Sequence, residues 1–170
     1  DCQGAAEDAG VFLSLESHQL VTLKSAEVTK EVLDAIDSHW VRCDYDSANW
    51  ITLDTIYDTG AALNHHFDLL GKHICSTHAK DIWIENKLAL HLQDGCPGKG
   101  LMDFKTLFRR MEALDPEYPV ISEGNSTEEL PAVSELCSYQ SVSSYKPATS
   151  RQALHRLSSV HTCTSATLAS

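Results

Sequence analysis

The sequence predicts an α/β fold made of parallel strand–helix repeats. Four short apolar runs predict strands at residues 11–16, 40–45, 73–77 and 119–123, and segments of roughly 10 to 18 residues between them have helical periodicity. Strands that alternate with helices in this way pair in parallel. The runs are rich in apolar residues, which predicts strands that are buried on both faces. Each run leads into a polar residue, so similar side chains lie at equivalent strand ends.

The first repeat begins after a short acidic segment. Residues 1–10 predict the end of a helix at Gly10, followed by the first strand. Ser25 is expected to cap a helix over residues 26–38. One face of that helix carries the apolar side chains of Val28, Val32, Leu33 and Ile36. The second strand then leads to Asp46.

A longer helix is expected in the next repeat. Thr52 is expected to cap it over residues 53–71, and Gly71 to end it. Its inner face carries Ile56, Leu63, Phe67 and Leu70. Two extended stretches, 82–84 and 88–92, follow the third strand. The second of them is expected either to pair with the first or to lie over the site.

The last repeat has clear helix boundaries. Asp103 is expected to cap a helix that ends before Pro116, and the fourth strand follows. Ser126 and Glu129 form a capping-box pattern for a helix over residues 127–137. Pro131 lies inside that helix and is expected to remove one backbone hydrogen bond.

The composition changes near Ser138. Residues 138–170 contain no Asp or Glu but nine Ser and four Thr. Such a segment has too few apolar residues to bury, which predicts a poorly ordered tail. Residues 1–137 are therefore expected to form the folded domain.

Composition narrows the class of protein. A chain of 170 residues is long enough for one domain with a core, and its net charge of -11 argues against a nucleic-acid partner. No apolar run is long enough to span a membrane, and no signal-peptide pattern is visible. The six cysteines contain no Cys-x-x-Cys pair, which favours a reducing, cytoplasmic location.

Four strand-end residues are the candidate site: Glu16, Asp46, His78 and Glu123. In barrels and in open parallel sheets alike, the carboxyl ends of the strands form the ligand-binding face. Three carboxylates that converge there repel one another unless a cation lies between them. Carboxylates with one imidazole suit Mn²⁺, Mg²⁺, Co²⁺ or Zn²⁺. Each residue alone could be a helix cap, a surface charge or a core histidine, but their repetition favours shared ligation.

Five segments, in this order and spacing, resemble those of one known family: Leu13-Ser14-Leu15-Glu16, Asp46-Ser47-Ala48-Asn49-Trp50, His78-Ala79-Lys80-Asp81, Pro97-Gly98-Lys99-Gly100 with Asp103-Phe104, and Ile121-Ser122-Glu123. This is the sugar phosphate isomerase/epimerase family of the xylose isomerase-like TIM barrel superfamily. The resemblance covers residues 5–136. It implies the second half of a (β/α)8 barrel, with one divalent metal held by Glu16, Asp46, His78 and Glu123.

The resemblance also implies an activity on a sugar or sugar phosphate. In the sugar-acting members the metal binds the carbonyl and hydroxyl oxygens and stabilises an enediolate. One Glu removes a carbon-bound proton and the other returns one, roles that would fall to Glu16 and Glu123. Epimerases often have a His three residues after the metal-binding Asp, where this chain has Asn49. Asn49 and Lys80 are the candidate substrate contacts, and Asp81 is expected to pair with Lys80 or to orient His78.

Half a barrel leaves two open sheet edges. The chain is therefore expected to self-associate or to pair with a missing N-terminal half-barrel. A metal-binding fragment without turnover is an alternative function. An endonuclease IV-type DNA repair enzyme is a second alternative, which the negative charge disfavours.

Overall fold

The computed structural model describes the backbone of residues 2–142 and the side chains of residues 2–137. Its elements in chain order are α1 (Cys2–Ala9), β1 (Leu13–Glu16), α2 (Ala26–Ile36), β2 (Val41–Asp46), α3 (Thr59–Leu70), β3 (Ile74–Ala79), β4 (Asp81–Glu85), β5 (His91–Gly95), α4 (Phe104–Leu114), β6 (Val120–Ser122) and α5 (Leu130–Val142). Short 3₁₀ turns occur at Ala48–Trp50, Gly71–His73 and Thr127–Glu129. Most of the predicted tail, residues 143–170, lies outside the described residues.

Four strands form one parallel sheet in the order β1-β2-β3-β6, which confirms the predicted α/β architecture. The register places Asp46 of β2 directly beside His78 of β3. It also pairs Glu16 of β1 with Asp44 of β2. Polar residues from neighbouring strands therefore meet at the carboxyl end of the sheet.

The two extended stretches after β3 form a separate hairpin. Strands β4 and β5 pair antiparallel, from Asp81 opposite Gly95 to Glu85 opposite His91. The second stretch therefore pairs with the first, which is one of the two arrangements that the sequence left open.

Three predicted helix caps are confirmed. The Ser25 hydroxyl accepts a hydrogen bond from the Val28 amide at 3.3 Å, and the Asp103 carboxylate accepts one from the Thr106 amide at 3.0 Å. Ser126 and Glu129 form the expected capping box. These caps satisfy amides that have no partner inside their own helices.

The predicted start of α3 is wrong. The helix begins at Thr59, and Asp58 caps it by accepting a hydrogen bond from the Ala61 amide at 3.1 Å. Thr52 is instead part of a turn, in which its own amide donates to the Thr55 hydroxyl at 3.0 Å. An aspartate is a stronger cap than a threonine, which explains the later start.

The expectation that Pro131 removes a backbone hydrogen bond of the helix is also wrong. Helix α5 begins at Leu130, so Pro131 lies in its first turn. An amide in the first turn has no partner within the helix, so a proline there removes no bond. The helix continues to Val142, past the predicted end at residue 137.

The core lies between the parallel sheet and the helices that connect its strands. The predicted inner face of α3 is buried: Ile56 precedes the helix, and Leu63, Phe67 and Leu70 lie within it. These side chains pack in one cluster with residues of β2, β3 and α4, among them Tyr45, Ile74 and Leu107. Such packing fixes the strands and hence their carboxyl ends.

Two observations concern the cellular setting. Five cysteines in the described residues form no disulfide: Cys2, Cys43, Cys75, Cys96 and Cys137. None of the helices in the described part of the chain has the length and apolar composition needed to cross a membrane. The cytoplasmic location stays a prediction.

We predict that His66 makes the stability of the fold depend on pH. Its Nδ1 lies 2.8 Å from the Tyr45 hydroxyl, and burial lowers the pKa of His66 to about 4. As the pH falls below about 6.5, the unfolded chain binds a proton that the folded chain excludes, so stability is lost. Urea unfolding should show about 2 kcal/mol less stability at pH 5 than at pH 7 from this residue.

His66→Asn, which keeps a polar group near the Nδ1 position, should remove most of this pH dependence. His65→Asn is the matched control, because His65 is the exposed neighbour in the same helix. An unchanged pH dependence in His66→Asn would contradict the assignment.

We predict self-association through the open edge at β1. Among the described residues, β1 and β6 each have only one strand neighbour. Exposed apolar side chains flank β1: Val11, Phe12, Leu20 and Val21. In size exclusion with light scattering, Val11→Lys combined with Val21→Lys should increase the monomer fraction, and Leu88→Lys on the hairpin should not. A monomeric wild-type chain would show that the edge has no such role.

Candidate metal centre

All four predicted ligands lie at one end of the parallel sheet. Glu16 ends β1, Asp46 ends β2, and His78 is the second-last residue of β3. Glu123 directly follows β6, and its amide donates to the Ala79 carbonyl at 3.1 Å. The sheet order brings these four residues side by side because each ends a neighbouring strand.

The imidazole of His78 is the centre of the group. Its Nδ1 lies 2.9 Å from Glu123 Oε2, 3.5 Å from Asp46 Oδ2 and 4.0 Å from Glu16 Oε1. One donor atom each from Glu16, Asp46 and His78 lies within 4.8 Å of the other two. These three residues could therefore hold a metal ion together, with Glu123 beside them.

Asp46 has the environment of a ligand. Its side chain is fully buried, and its Oδ1 accepts hydrogen bonds from the amides of Ala48 and Asn49, at 3.1 and 3.4 Å. Its Oδ2 is buried and accepts no hydrogen bond of normal geometry from the described residues. Lys80 Nζ lies 2.7 Å from that oxygen as an ion pair. A buried carboxylate oxygen that faces the side chains of His78 and Lys80 and accepts from no backbone amide of the described residues is suited to bind a metal ion.

Lys80 is buried among the carboxylates. Its ammonium lies 2.7 Å from Asp46 Oδ2, 2.9 Å from Glu123 Oε2 and 3.8 Å from Asp94 Oδ2. Burial lowers the pKa of Lys80, but these carboxylates outweigh that effect and leave the pKa raised. Lys80 therefore remains a cation that offsets part of the negative charge. The predicted substrate contact of Lys80 stays a prediction.

The pKa values reflect the excess of carboxylates. Burial alone would lower the pKa of His78, but hydrogen bonds to Asp44, Asp46 and Glu123 raise it to about 12. His78, together with Lys80, lowers the pKa of Glu123 to about 2, against the effect of burial. Burial raises the pKa of Glu16, with the carboxylates of Asp46 and Glu123 adding to the shift and His78 opposing it. The site therefore favours positive charge.

Asn49 lies beside the site, and its known contacts are structural. Its side-chain amide donates to the Ser17 carbonyl at 3.0 Å, and its backbone amide donates to Asp46. These bonds fix the loop after β2 against the end of β1. The substrate contact predicted for Asn49 is compatible with this position and stays a prediction.

The structure gives Asp81 a different role from the expected one. Its Oδ2 accepts hydrogen bonds from the amides of Gly98 and Gly100, both at 2.8 Å. Its Oδ1 accepts from the amides of Ile82 and Met102, at 2.9 and 3.0 Å. Both oxygens are thus occupied by backbone amides, and the carboxylate anchors the loop before α4 rather than orienting His78 or pairing with Lys80.

Two residues that the sequence reasoning missed support the site. Ser17 is fully buried, and its hydroxyl accepts a hydrogen bond from the Asp46 amide at 3.1 Å. Asp44 Oδ2 lies 3.2 Å from His78 Nε2. The spacing of two between Asp44 and Asp46 could have identified Asp44, because alternate residues of a strand lie on the same face.

The sequence matches the model of a known family. The model of the xylose isomerase-like TIM barrel family matches residues 2–141. The chain therefore belongs to the xylose isomerase-like TIM barrel family. The superfamily of that name includes sugar isomerases and epimerases. A search of curated proteins finds no match.

Solved structures with the same fold include three bacterial proteins. A xylose isomerase domain protein from Planctomyces limnophilus has a TM-score of 0.62 and 18% identity over 82% of this chain and 49% of its own. A xylose isomerase-like TIM barrel protein from Mycobacterium smegmatis, in complex with magnesium, has a TM-score of 0.61 and 15% identity over 81% and 46%. A xylose isomerase domain protein from Alicyclobacillus acidocaldarius has a TM-score of 0.52 and 18% identity over 81% and 56%. This chain thus spans about half the length of these proteins.

We predict that Asp81→Asn destabilises the fold by about 3 kcal/mol, because an amide group cannot accept all the hydrogen bonds that the carboxylate accepts. Urea unfolding at pH 7 measures the difference. Asp54→Asn removes the same charge from an exposed position and should change stability by less than about 0.5 kcal/mol. Equal effects of the two substitutions would refute the anchoring role.

Proposed function

We propose that the chain carries the metal centre of a divalent-metal-dependent sugar or sugar-phosphate isomerase or epimerase. The observation that carries this proposal is the convergence of Glu16, Asp46 and His78, whose donor atoms lie within 4.8 Å of one another at the carboxyl end of the sheet. The ligand-binding face of such folds is at this end. Membership of a family that includes sugar isomerases and epimerases supports the substrate class.

The donor set favours a hard or borderline divalent cation. Glu16, Asp46, His78 and Glu123 offer carboxylate oxygens and one imidazole nitrogen, which suit Mn²⁺, Mg²⁺, Co²⁺ or Zn²⁺. The similar protein from Mycobacterium smegmatis was solved with magnesium, which supports including Mg²⁺. When bound, such a cation supplies Lewis-acid stabilisation of negative charge on substrate oxygens.

The chain itself provides the proton-transfer groups. Glu16 and Glu123 come from the two outer strands of the sheet, and Asp46 and His78 from the two central ones. A sugar held over the central pair would therefore have a carboxylate on each side. One of the two glutamates removes a proton from the carbon beside the carbonyl, and the other donates a proton to the product. The Lys80 ammonium lies 2.9 Å from Glu123 and favours the ionised form of this carboxylate, which is the form that accepts a proton.

A metal-binding fragment without turnover is the second candidate. The chain spans 46 to 56% of the similar solved structures, so surfaces that would enclose a substrate can lie in the other half of such a barrel. Metal binding and sugar turnover are therefore tested separately.

We predict that the purified chain binds one Mn²⁺ ion and that His78→Ala weakens binding at least about 100-fold, because a ligand is lost. Calorimetric titration measures the affinity. His91→Ala, which removes an exposed histidine of the hairpin, is the matched control and should bind like wild type. Equal binding by all three proteins would place the cation elsewhere.

With Mn²⁺ present, a screen of ketoses and ketose phosphates separates the two candidates. Interconversion by wild type that is lost in Glu16→Gln and in Glu123→Gln would support the isomerase or epimerase. Tight Mn²⁺ binding without interconversion of any sugar would support the metal-binding fragment.

A further inference from the structure

The two ring nitrogens of His78 face different partners. Nδ1 faces the predicted ligands, at 2.9 Å from Glu123 and 3.5 Å from Asp46. Nε2 faces Asp44, whose Oδ2 lies 3.2 Å away. Among the carboxylates that the structure describes near this ring, Asp44 is the only one that contacts Nε2.

Asp44 is itself held in place by β3. Its Oδ1 accepts a hydrogen bond from the Ser76 hydroxyl at 2.7 Å. Ser76 and His78 are two residues apart on the same strand and therefore lie on the same face of the sheet. One oxygen of Asp44 thus contacts each of them, and this two-point contact fixes the carboxylate. The side chain is 17% exposed, so water competes little for these bonds.

We infer that Asp44 is a positioning residue of the metal centre: it accepts a hydrogen bond from His78 Nε2–H and thereby directs the unprotonated Nδ1 towards the cation. The inference rests on the proposed function, because it concerns the same metal centre. Asp44 does not contact the cation in this arrangement, since it lies on the far side of the imidazole ring.

A partner of this kind favours ligation by an imidazole. A neutral histidine carries one ring proton, and the nitrogen that binds a metal must be the one without it. A carboxylate at Nε2 favours the form with the proton on Nε2 and leaves Nδ1 free. It also restricts rotation of the ring. Loss of partners of this kind usually weakens metal affinity 10- to 100-fold.

Calorimetric titration of Mn²⁺ into variants at position 44 tests the inference. Asp44→Ala removes the acceptor and should weaken Mn²⁺ binding at least about tenfold. Asp44→Asn removes the charge but keeps an oxygen that accepts from Nε2–H, so its affinity should stay within about threefold of wild type. This contrast separates positioning of His78 from a general loss of negative charge.

Two further variants control for folding and for charge. Ser76→Ala releases Asp44 without touching His78 and should weaken binding by less than Asp44→Ala does. Asp34→Ala removes another aspartate that contacts a histidine, His73, at 3.0 Å in a different part of the fold, and should leave Mn²⁺ affinity unchanged. The visible absorption spectrum of bound Co²⁺ is a second readout, expected to change in Asp44→Ala and to return in Asp44→Asn.

The outcomes are distinct. Weak binding in Asp44→Ala with near wild-type binding in Asp44→Asn supports the inference. Unchanged affinity in Asp44→Ala, or equal loss in Asp44→Ala and Asp44→Asn, overturns it while leaving the metal centre intact. A wild-type chain that binds no Mn²⁺ overturns both the proposed metal centre and this inference. If Asp44→Ala does not fold, Ser76→Ala decides: weakened binding supports the inference, and wild-type binding overturns it.

Discussion

The balance of charge around His78 is the constraint on which the site depends. Carboxylates of Glu16, Asp44, Asp46 and Glu123 surround one imidazole, and like charges this close repel one another strongly in a partly buried site. The sheet can bring these strand ends together only if positive charge lies among them. Lys80 supplies part of that charge, which explains why a lysine is buried here, where lysines are rarely found. A divalent cation would supply the rest.

The parallel sheet brings the candidate ligands together but leaves the edges of β1 and β6 unpaired among the described residues. Each candidate ligand comes from one of its four parallel strands or from the residue just after one, so this sheet alone brings the candidate ligands together. The edges of β1 and β6 are open, because their outward backbone groups have no strand partner among the described residues. The chain therefore combines a converging set of candidate ligands with open strand edges.

Local sequence patterns predicted most of this architecture. Runs rich in apolar residues that end in Glu16, Asp46, His78 and Glu123 identified the strands. Of these, β3 is buried at every residue, as expected for a strand covered on both faces, whereas β1 alternates between half-buried and exposed residues. The caps at Ser25 and Asp103 followed from side-chain chemistry alone. Details that depend on tertiary contacts could not be predicted from the sequence. The binding of Asp81 to the amides of the loop at 98–102 depends on how distant segments meet. The contact of Asp44 with His78 depends on strand register, which no local pattern specifies.

His78 is proposed to bind a divalent cation through a ring nitrogen beside Glu16 and Asp46. Electron spin echo modulation of Mn²⁺ bound to the chain with ¹⁵N-labelled histidine tests it most directly, because it detects a directly coordinated nitrogen. We expect coupling to one histidine nitrogen that persists in His91→Ala and disappears in His78→Ala. Bound Mn²⁺ without nitrogen coupling, or coupling that survives in His78→Ala, would contradict it.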